Sequence, residues 1–305
     1  MRLRVSPTLM LVAACVFATG CGLNTAVLQK GGNGRMGVLL NYSCGAAVCD
    51  PIDPAKPTIV ITHGWNPLPN RIRTTFGSAA AAAIKSRCGD SYNLLSWDWN
   101  GVRISPFNDE PLRVGREQGR MLAAALRARG LDPSQTQIIG HSLGTIVATQ
   151  AAVCLQDLGP TAQLTLLDAP ETYHETIFYD LAPTCHAAVV ENYWSPGLSG
   201  YGARVPLAGV QNHEIRGETP VVGVVDLSMS NHVYVMRWYY NTIRCPTMPC
   251  GFQNCVFISH CDRADSVGGV SDADSASHSA LLSASERPPT NNTQLTATSA
   301  GSRRR

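Results

Sequence analysis

Charge is scarce in this chain. Only 15% of its 305 residues are Asp, Glu, Lys or Arg, and 24 basic against 22 acidic side chains leave a formal net charge of +2. No long basic block carries that charge, which sets nucleic-acid binding aside, because such proteins present a basic patch or stripe. The scarcity does not signal disorder either. Disordered chains combine high net charge with low hydrophobicity, and here 44% of residues are hydrophobic. The 11 Cys include no C-x-x-C pair, so the usual zinc spacing is missing. That many Cys without metal spacing points to an oxidising compartment. No internal repeat is visible, and 27 Gly and 19 Pro scattered along the chain exclude a coiled coil. The apolar run at 9–17 is too short to cross a bilayer as a mature helix. What remains is enough apolar material for one large α/β domain or two small ones.

Arg2 and Arg4, the apolar run and the small residues Ala18-Thr19-Gly20 before Cys21 form a secretory signal pattern over residues 1–21. The ending resembles a bacterial lipobox, with Ala18 where Leu is commoner. The resemblance implies a lipid on Cys21 and a place in the cell envelope. Ordinary cleavage at the Ala/Gly stretch is the alternative. Losing Arg2 and Arg4 with residues 1–20 leaves 22 basic and 22 acidic side chains. Attraction to an anionic surface would then be weak, and membrane contact would come from the lipid.

Residues 22–56 are rich in Gly, Asn and Pro and read as an N-terminal arm with loops, in which Cys44 and Cys49 could close a ring. Residues 57–261 alternate β-branched runs with helical stretches. Thr58-Ile59-Val60-Ile61-Thr62 reads as a buried parallel strand ending in His63-Gly64. A helix follows over 71–88, then a strand over 92–97. A helix from Pro111 to near Gly130, capped by Asp109, carries an inner stripe of Leu112, Gly115, Gly119, Leu122 and Leu126. Its two glycines predict close packing on a sheet. Strands at 137–140, 164–167 and 189–194, with a helix at 143–155 after the first, complete a doubly wound, mostly parallel α/β sheet. Residues 195–228 read as loops around one more strand, and 232–243 as an aromatic helix. Residues 262–305 are rich in Ser, Ala, Asp and Thr and read as a disordered tail.

Gly140-His141-Ser142-Leu143-Gly144 is a G-x-S-x-G sequence between a β-branched strand and a helix, the context this motif requires. The sharp turn projects the Ser142 hydroxyl, and the helix N-terminus behind it favours developing negative charge. A serine hydroxyl needs a base and an orienting acid, which follow it in the order acid, then His. Asp168 ends the 164–167 strand at the edge where ligands bind. Residues 181–225 contain no Asp, which strengthens Asp168; Glu191, Asn192 and Asp226 are its rivals. Of the eight His, His63 and His141 lie inside turn motifs, His260 beside the terminal Cys cluster and His278 in the tail. His174 and His186 come too early. His213 and His232 remain, and His232, at a loop–helix junction, is favoured as the base. Two backbone N–H groups must face the carbonyl oxygen during acyl transfer. Leu143 supplies one, and Trp65, after the His63-Gly64 turn, supplies the other.

Ile59-Val-Ile-Thr-His-Gly-Trp65, Leu95-Ser-Trp-Asp-Trp99, Ile138-Ile-Gly-His-Ser-Leu-Gly144, Leu166-Leu-Asp-Ala-Pro170 and Asn231-His232 with Trp238-Tyr239-Tyr240 together resemble the α/β hydrolases, and among them the pancreatic-lipase group of serine esterases. The likeness covers roughly 55–245. It departs in having Asp-Ala-Pro for Asp-Pro-Ala and in lacking the C-terminal β-sandwich of the animal lipases. It implies an esterase with a Ser142–His232–Asp168 triad, no metal or organic cofactor, and an ester or lipid substrate. An amidase or acyltransferase on the same triad, or a surface-anchored binding protein that keeps the fold without catalysis, are the rival readings.

Tyr173, Ile177, Phe178, Tyr179 and Leu181, just after the acid, are candidates for core or for an acyl pocket, and the Gly-rich stretch 196–223 for a flap. Cys245, Cys250, Cys255 and Cys261 predict two disulfides, with three pairings open, and Cys154 with Cys185 could form another, which leaves Cys88 odd if Cys21 is lipidated.

Overall fold

The alternation of β-branched runs with Ala- and Leu-rich stretches builds one eight-stranded mixed sheet. The structure is a computed structural model that describes residues 27–30, 36–44, 52–65, 75–99, 110–170, 177–196, 202–216 and 230–262. Residues 1–26 with Cys21, the positions Asp109, Tyr173 and Asp226, and residues 263–305 lie outside the described residues. The strands are β1 (Val27–Lys30), β2 (Met36–Asn41), β3 (Thr58–Thr62), β4 (Asn93–Trp99), β5 (Thr136–His141), β6 (Thr161–Leu167), β7 (Ala187–Trp194) and β8 (Val210–Glu214). Their order is β1-β2-β4-β3-β5-β6-β7-β8. β2 is antiparallel to both β1 and β4, and all other pairs are parallel. This is a doubly wound, mostly parallel α/β sheet, as the sequence predicts.

Residues 22–56 are thus more than a looped arm, because β1 and β2 extend the sheet. Short antiparallel strands beside a Gly- and Asn-rich stretch of sequence leave little periodicity to read, yet β2 is in register with β4, Leu39 opposite Trp97.

Helix α1 (Thr75–Cys88) carries the chain from β3 outward to β4, and α2 (Glu110–Ala128) brings it back past β3 to β5. The winding direction therefore reverses between β3 and β5, and a crevice opens outside their C-terminal ends. His63 and Ser142 follow those two ends. On one face, Val60, Trp97, Trp99, Ile138, Leu164 and Leu166 pack with α2 and α3 (Leu143–Leu155) in a continuous apolar core. Each fully buried Leu, Ile or Val there contributes roughly 1.5–3 kcal/mol. The glycines of α2 face α3 and not the sheet. A Cβ on Gly119 would lie 2.6 Å from the Gln150 Cβ, so these small residues set a helix–helix contact.

The other face carries a buried polar network. Gln163 Nε2 donates to Glu191 Oε2 (2.8 Å), and Tyr193 OH (3.1 Å) and Asn254 Nδ2 (2.8 Å) donate to Glu191 Oε1. The Val256 N–H donates to Gln163 Oε1 (2.9 Å) and Cys255 Sγ to Gln137 Oε1 (3.1 Å). A buried polar group left unpaired costs several kcal/mol, so the segment after α5 (Ser230–Arg244) is needed to complete this face. A single turn α4 (Tyr179–Leu181) precedes β7, and α6 (Ser259–Asp262) ends the described chain. There Cys261 is bonded to Cys88 at the end of α1. That pairing replaces the expected disulfides within the C-terminal cluster. Cys154, Cys185, Cys245, Cys250 and Cys255 are free thiols, and burial pushes the Cys255 thiol up to about 12. Cys44 is disulfide-bonded, while Cys49 lies outside the described residues.

Candidate active site

Ser142 joins β5 to α3 with φ 55° and ψ −126°. A non-glycine residue in that region is strained, and neighbouring contacts hold it there. Its N–H donates to the Leu167 carbonyl (2.9 Å), and its own carbonyl accepts from the Thr145 N–H (2.9 Å). A Cβ on Gly140 would fall 2.3 Å from the Gly144 oxygen, which explains the small residue before the turn. Serine at a helix start commonly caps the helix with its side chain. Ser142 makes no such bond, and it lines the cavity outside the sheet.

Asp168 follows β6, also at positive φ (52°), and is buried. Its N–H donates to the Tyr193 carbonyl at 2.7 Å. Oδ1 accepts the Ser195 N–H (2.9 Å), and Oδ2 accepts Nδ1–H of His232 (2.6 Å). The short, buried contact turns Nδ1 of His232 toward the carboxylate, so that of the two neutral tautomers the one with its proton on Nδ1 fits. His232 sits in the first turn of α5 and lines the same cavity as Ser142. The structure thus brings Ser142, Asp168 and His232 to one edge of the sheet. The rivals lie elsewhere. His213 stacks on Tyr193 (4.7 Å between ring centres) with Nε2 3.7 Å from Glu191 Oε1. Glu191 is occupied by the polar network, where burial raises its carboxyl above the ordinary range against the pull of those hydrogen bonds. Asn192 donates to the Ala203 carbonyl.

The loop after β3 passes against Ser142. A Cβ on Gly64 would lie 2.6 Å from the Ser142 Cβ. His63 anchors this loop. The Trp99 N–H donates to Nε2 (3.0 Å), so Nδ1 carries the proton and donates to the Gly64 carbonyl (2.9 Å), with the ring stacked on Trp99. Burial outweighs the nearby Asp98 carboxylate and lowers the His63 pKa. Trp65 lies at the cavity rim, 43% exposed. Leu143 is buried as the first residue of α3, where backbone N–H groups are left over by the helix.

The cavity, about 250 Å³, is walled beside Ser142 and His232 by Trp65, Phe76, Val233 and Met236. Sequence reading named Trp65 but missed Phe76, Val233 and Met236. The available signal was the helical spacing of Val233 and Met236 from His232, one and four positions on. None of the described residues at 177–181 after Asp168 lines it. Ile177, Phe178 and Leu181 are core, and Tyr179 is exposed. Of the stretch 196–223, β8 joins the sheet edge, and 197–201 and 217–223 lie outside the described residues. Sequence reading also passed over His141, which contacts His232, and Gly202, which lies against the Asp168 carboxylate.

No protein-family model and no curated protein matches the chain. Among solved structures it is similar to XC6422 of Xanthomonas campestris, an α/β serine hydrolase without a lid, at 16% identity over 74% of this chain and 97% of the other, with a TM-score of 0.42. It is similar to ATU1826 of Agrobacterium tumefaciens, a putative α/β hydrolase, at 12% identity over 72% and 94%, with a TM-score of 0.42. It is also similar to the poly(3-hydroxybutyrate) depolymerase LpqC of Bordetella parapertussis, at 15% identity over 76% and 94%, with a TM-score of 0.39.

Proposed function

We propose that this chain is an exported serine hydrolase that cleaves carboxylic esters of lipids or other acyl groups. The observation that carries the reading is the buried 2.6 Å Asp168–His232 bond, with His232 sharing one cavity with Ser142 in its strained turn. Ser142 Oγ attacks the ester carbonyl while His232 Nε2 takes its proton. Asp168 orients the ring and stabilises the imidazolium. The N–H groups of Leu143 and Trp65 hold the oxyanion. His232 returns the proton to the leaving alcohol, and water then releases the acyl group from Ser142 by the same steps in reverse. Side chains, backbone N–H groups and water suffice for this sequence. The apolar walls from Phe76, Val233 and Met236 favour an acyl chain over a charged group. Export follows from the signal pattern, and a lipid on Cys21 would hold the enzyme at a membrane of the cell envelope.

The test is hydrolysis of nitrophenyl esters of increasing acyl length, with Ser142→Ala as control. The variant should lose about five to six orders of magnitude in kcat. Residual turnover near wild type overturns the assignment. Turnover confined to amides, or product appearing only with an added alcohol acceptor, would assign the same triad to an amidase or an acyltransferase.

A further inference from the structure

We propose that His141, the residue immediately before the nucleophile, is a positioning residue that locks the base His232 against Ser142; the role rests on the hydrolase reading above. His141 Nε2–H donates to the His232 backbone carbonyl at 3.1 Å, and the two rings lie 4.6 Å apart at 37°. A carbonyl only accepts, so Nε2 carries the proton. The Asp168 bond holds His232 at one atom, Nδ1, and still allows the imidazole to tilt about that bond. His141 adds restraints at two further places on the same residue, the backbone carbonyl and the ring face. Because it stands on β5 next to Ser142, it ties the first turn of α5 to the nucleophile strand with no loop between them. Sub-ångström placement of base against nucleophile matters, since a misplacement of about 1 Å can cost on the order of 100-fold.

The donor persists across the working range. Burial first, and then the neighbouring His232, push the His141 pKa down to about 3. Among the described residues the titratable groups around this pair are Asp168 after β6, His63 after β3 and His232 itself on α5. From α1, Phe76 meets His141 edge-on at 6.3 Å.

The experiment compares wild type, His141→Phe and His141→Gln on a nitrophenyl ester, with Ser142→Ala as the blank. Phe keeps the ring and loses the donor, so kcat falls roughly 10- to 100-fold while KM stays within about two-fold. Gln restores an amide donor and recovers most of that loss. A His141→Phe enzyme with wild-type kcat, or a folded His141→Gln enzyme no better than Phe, overturns the role and leaves the hydrolase reading standing. Absence of Ser142-dependent turnover in the wild type overturns both. If neither variant folds, nitrogen-15 histidine spectra of the intact wild type decide. His141 should show the Nε2–H neutral tautomer throughout about pH 5 to 8, and an Nδ1–H tautomer or a titration in that range overturns the proposal.

Discussion

Gly202→Ala tests the proposed Asp168–His232 pair without substituting either of its members. A Cβ at Gly202 would sit 2.0 Å from Asp168 Oδ1, 2.1 Å from Cγ and 2.2 Å from Oδ2. Gly202 is not among the positive-φ glycines, so alanine fits its backbone and the whole effect falls on the contact. The segment is tied to the acid's own neighbourhood by the Ala203 N–H to the Ala169 carbonyl at 3.2 Å. Cβ atoms essentially never approach another heavy atom closer than 3.0 Å, so the carboxylate or the loop must shift by about 1 Å. A shift of that size costs on the order of 10² in rate, and complete loss of the orienting acid costs about 10⁴. The kcat/KM of Gly202→Ala should therefore fall between those limits, or about 3–5 kcal/mol of transition-state stabilisation. Steady-state ester hydrolysis reads the loss, and thermal melting checks that the fold is intact. A variant within about three-fold of wild type would show that Asp168 can be displaced without consequence, and would refute the acid's role.

Further outcomes follow from the same contacts. Cys88→Ser opens a cross-link between residues 173 positions apart. The chain-entropy cost for such a loop is about 5 kcal/mol, so Tm should drop well below wild type, and a reducing agent should lower the wild type more than the variant, which keeps the Cys44 disulfide. Glu191 has a raised carboxyl pKa because it is buried. Its contribution to stability is therefore full below the ordinary value of 4.5 and is lost as pH rises through the raised one. The wild-type Tm minus that of Glu191→Gln should decrease as pH rises from 4.5, and a flat difference contradicts this. His141 behaves oppositely. Its stability is present above 6.5 and lost as pH falls toward about 3, so His141→Gln should flatten the fall in Tm on acidification.

The central strands were legible because parallel strands buried on both faces must be continuous apolar or β-branched runs, as 58–62 and 164–167 are. Helix α3 was legible to the residue at both ends, since the Gly140–Gly144 turn marks its start and Leu155 ends its apolar run. The strands β1 and β2 were not. A few residues beside a Gly-rich stretch of sequence become strands by pairing, β2 on the edge of β4 and β1 on β2. The Cys88–Cys261 bridge depends on where α1 and α6 end in space, which spacing along the chain does not encode. The Asp168–His232 contact could be anticipated from chain order, but the support around it could not. The Ser195 N–H reaches Asp168 because β7 neighbours β6, and His141 meets His232 because α5 crosses the end of β5. Both are consequences of tertiary placement, with no local sequence signal.

The most direct measurement is the intact mass of the folded protein after exposure to a fluorophosphonate probe, followed by peptide mapping. One adduct on Ser142, abolished in His232→Ala and slowed in Gly202→Ala, is the result expected of a nucleophile activated by the buried His232–Asp168 pair. A folded protein that takes no label, or takes it at another residue, would contradict the account.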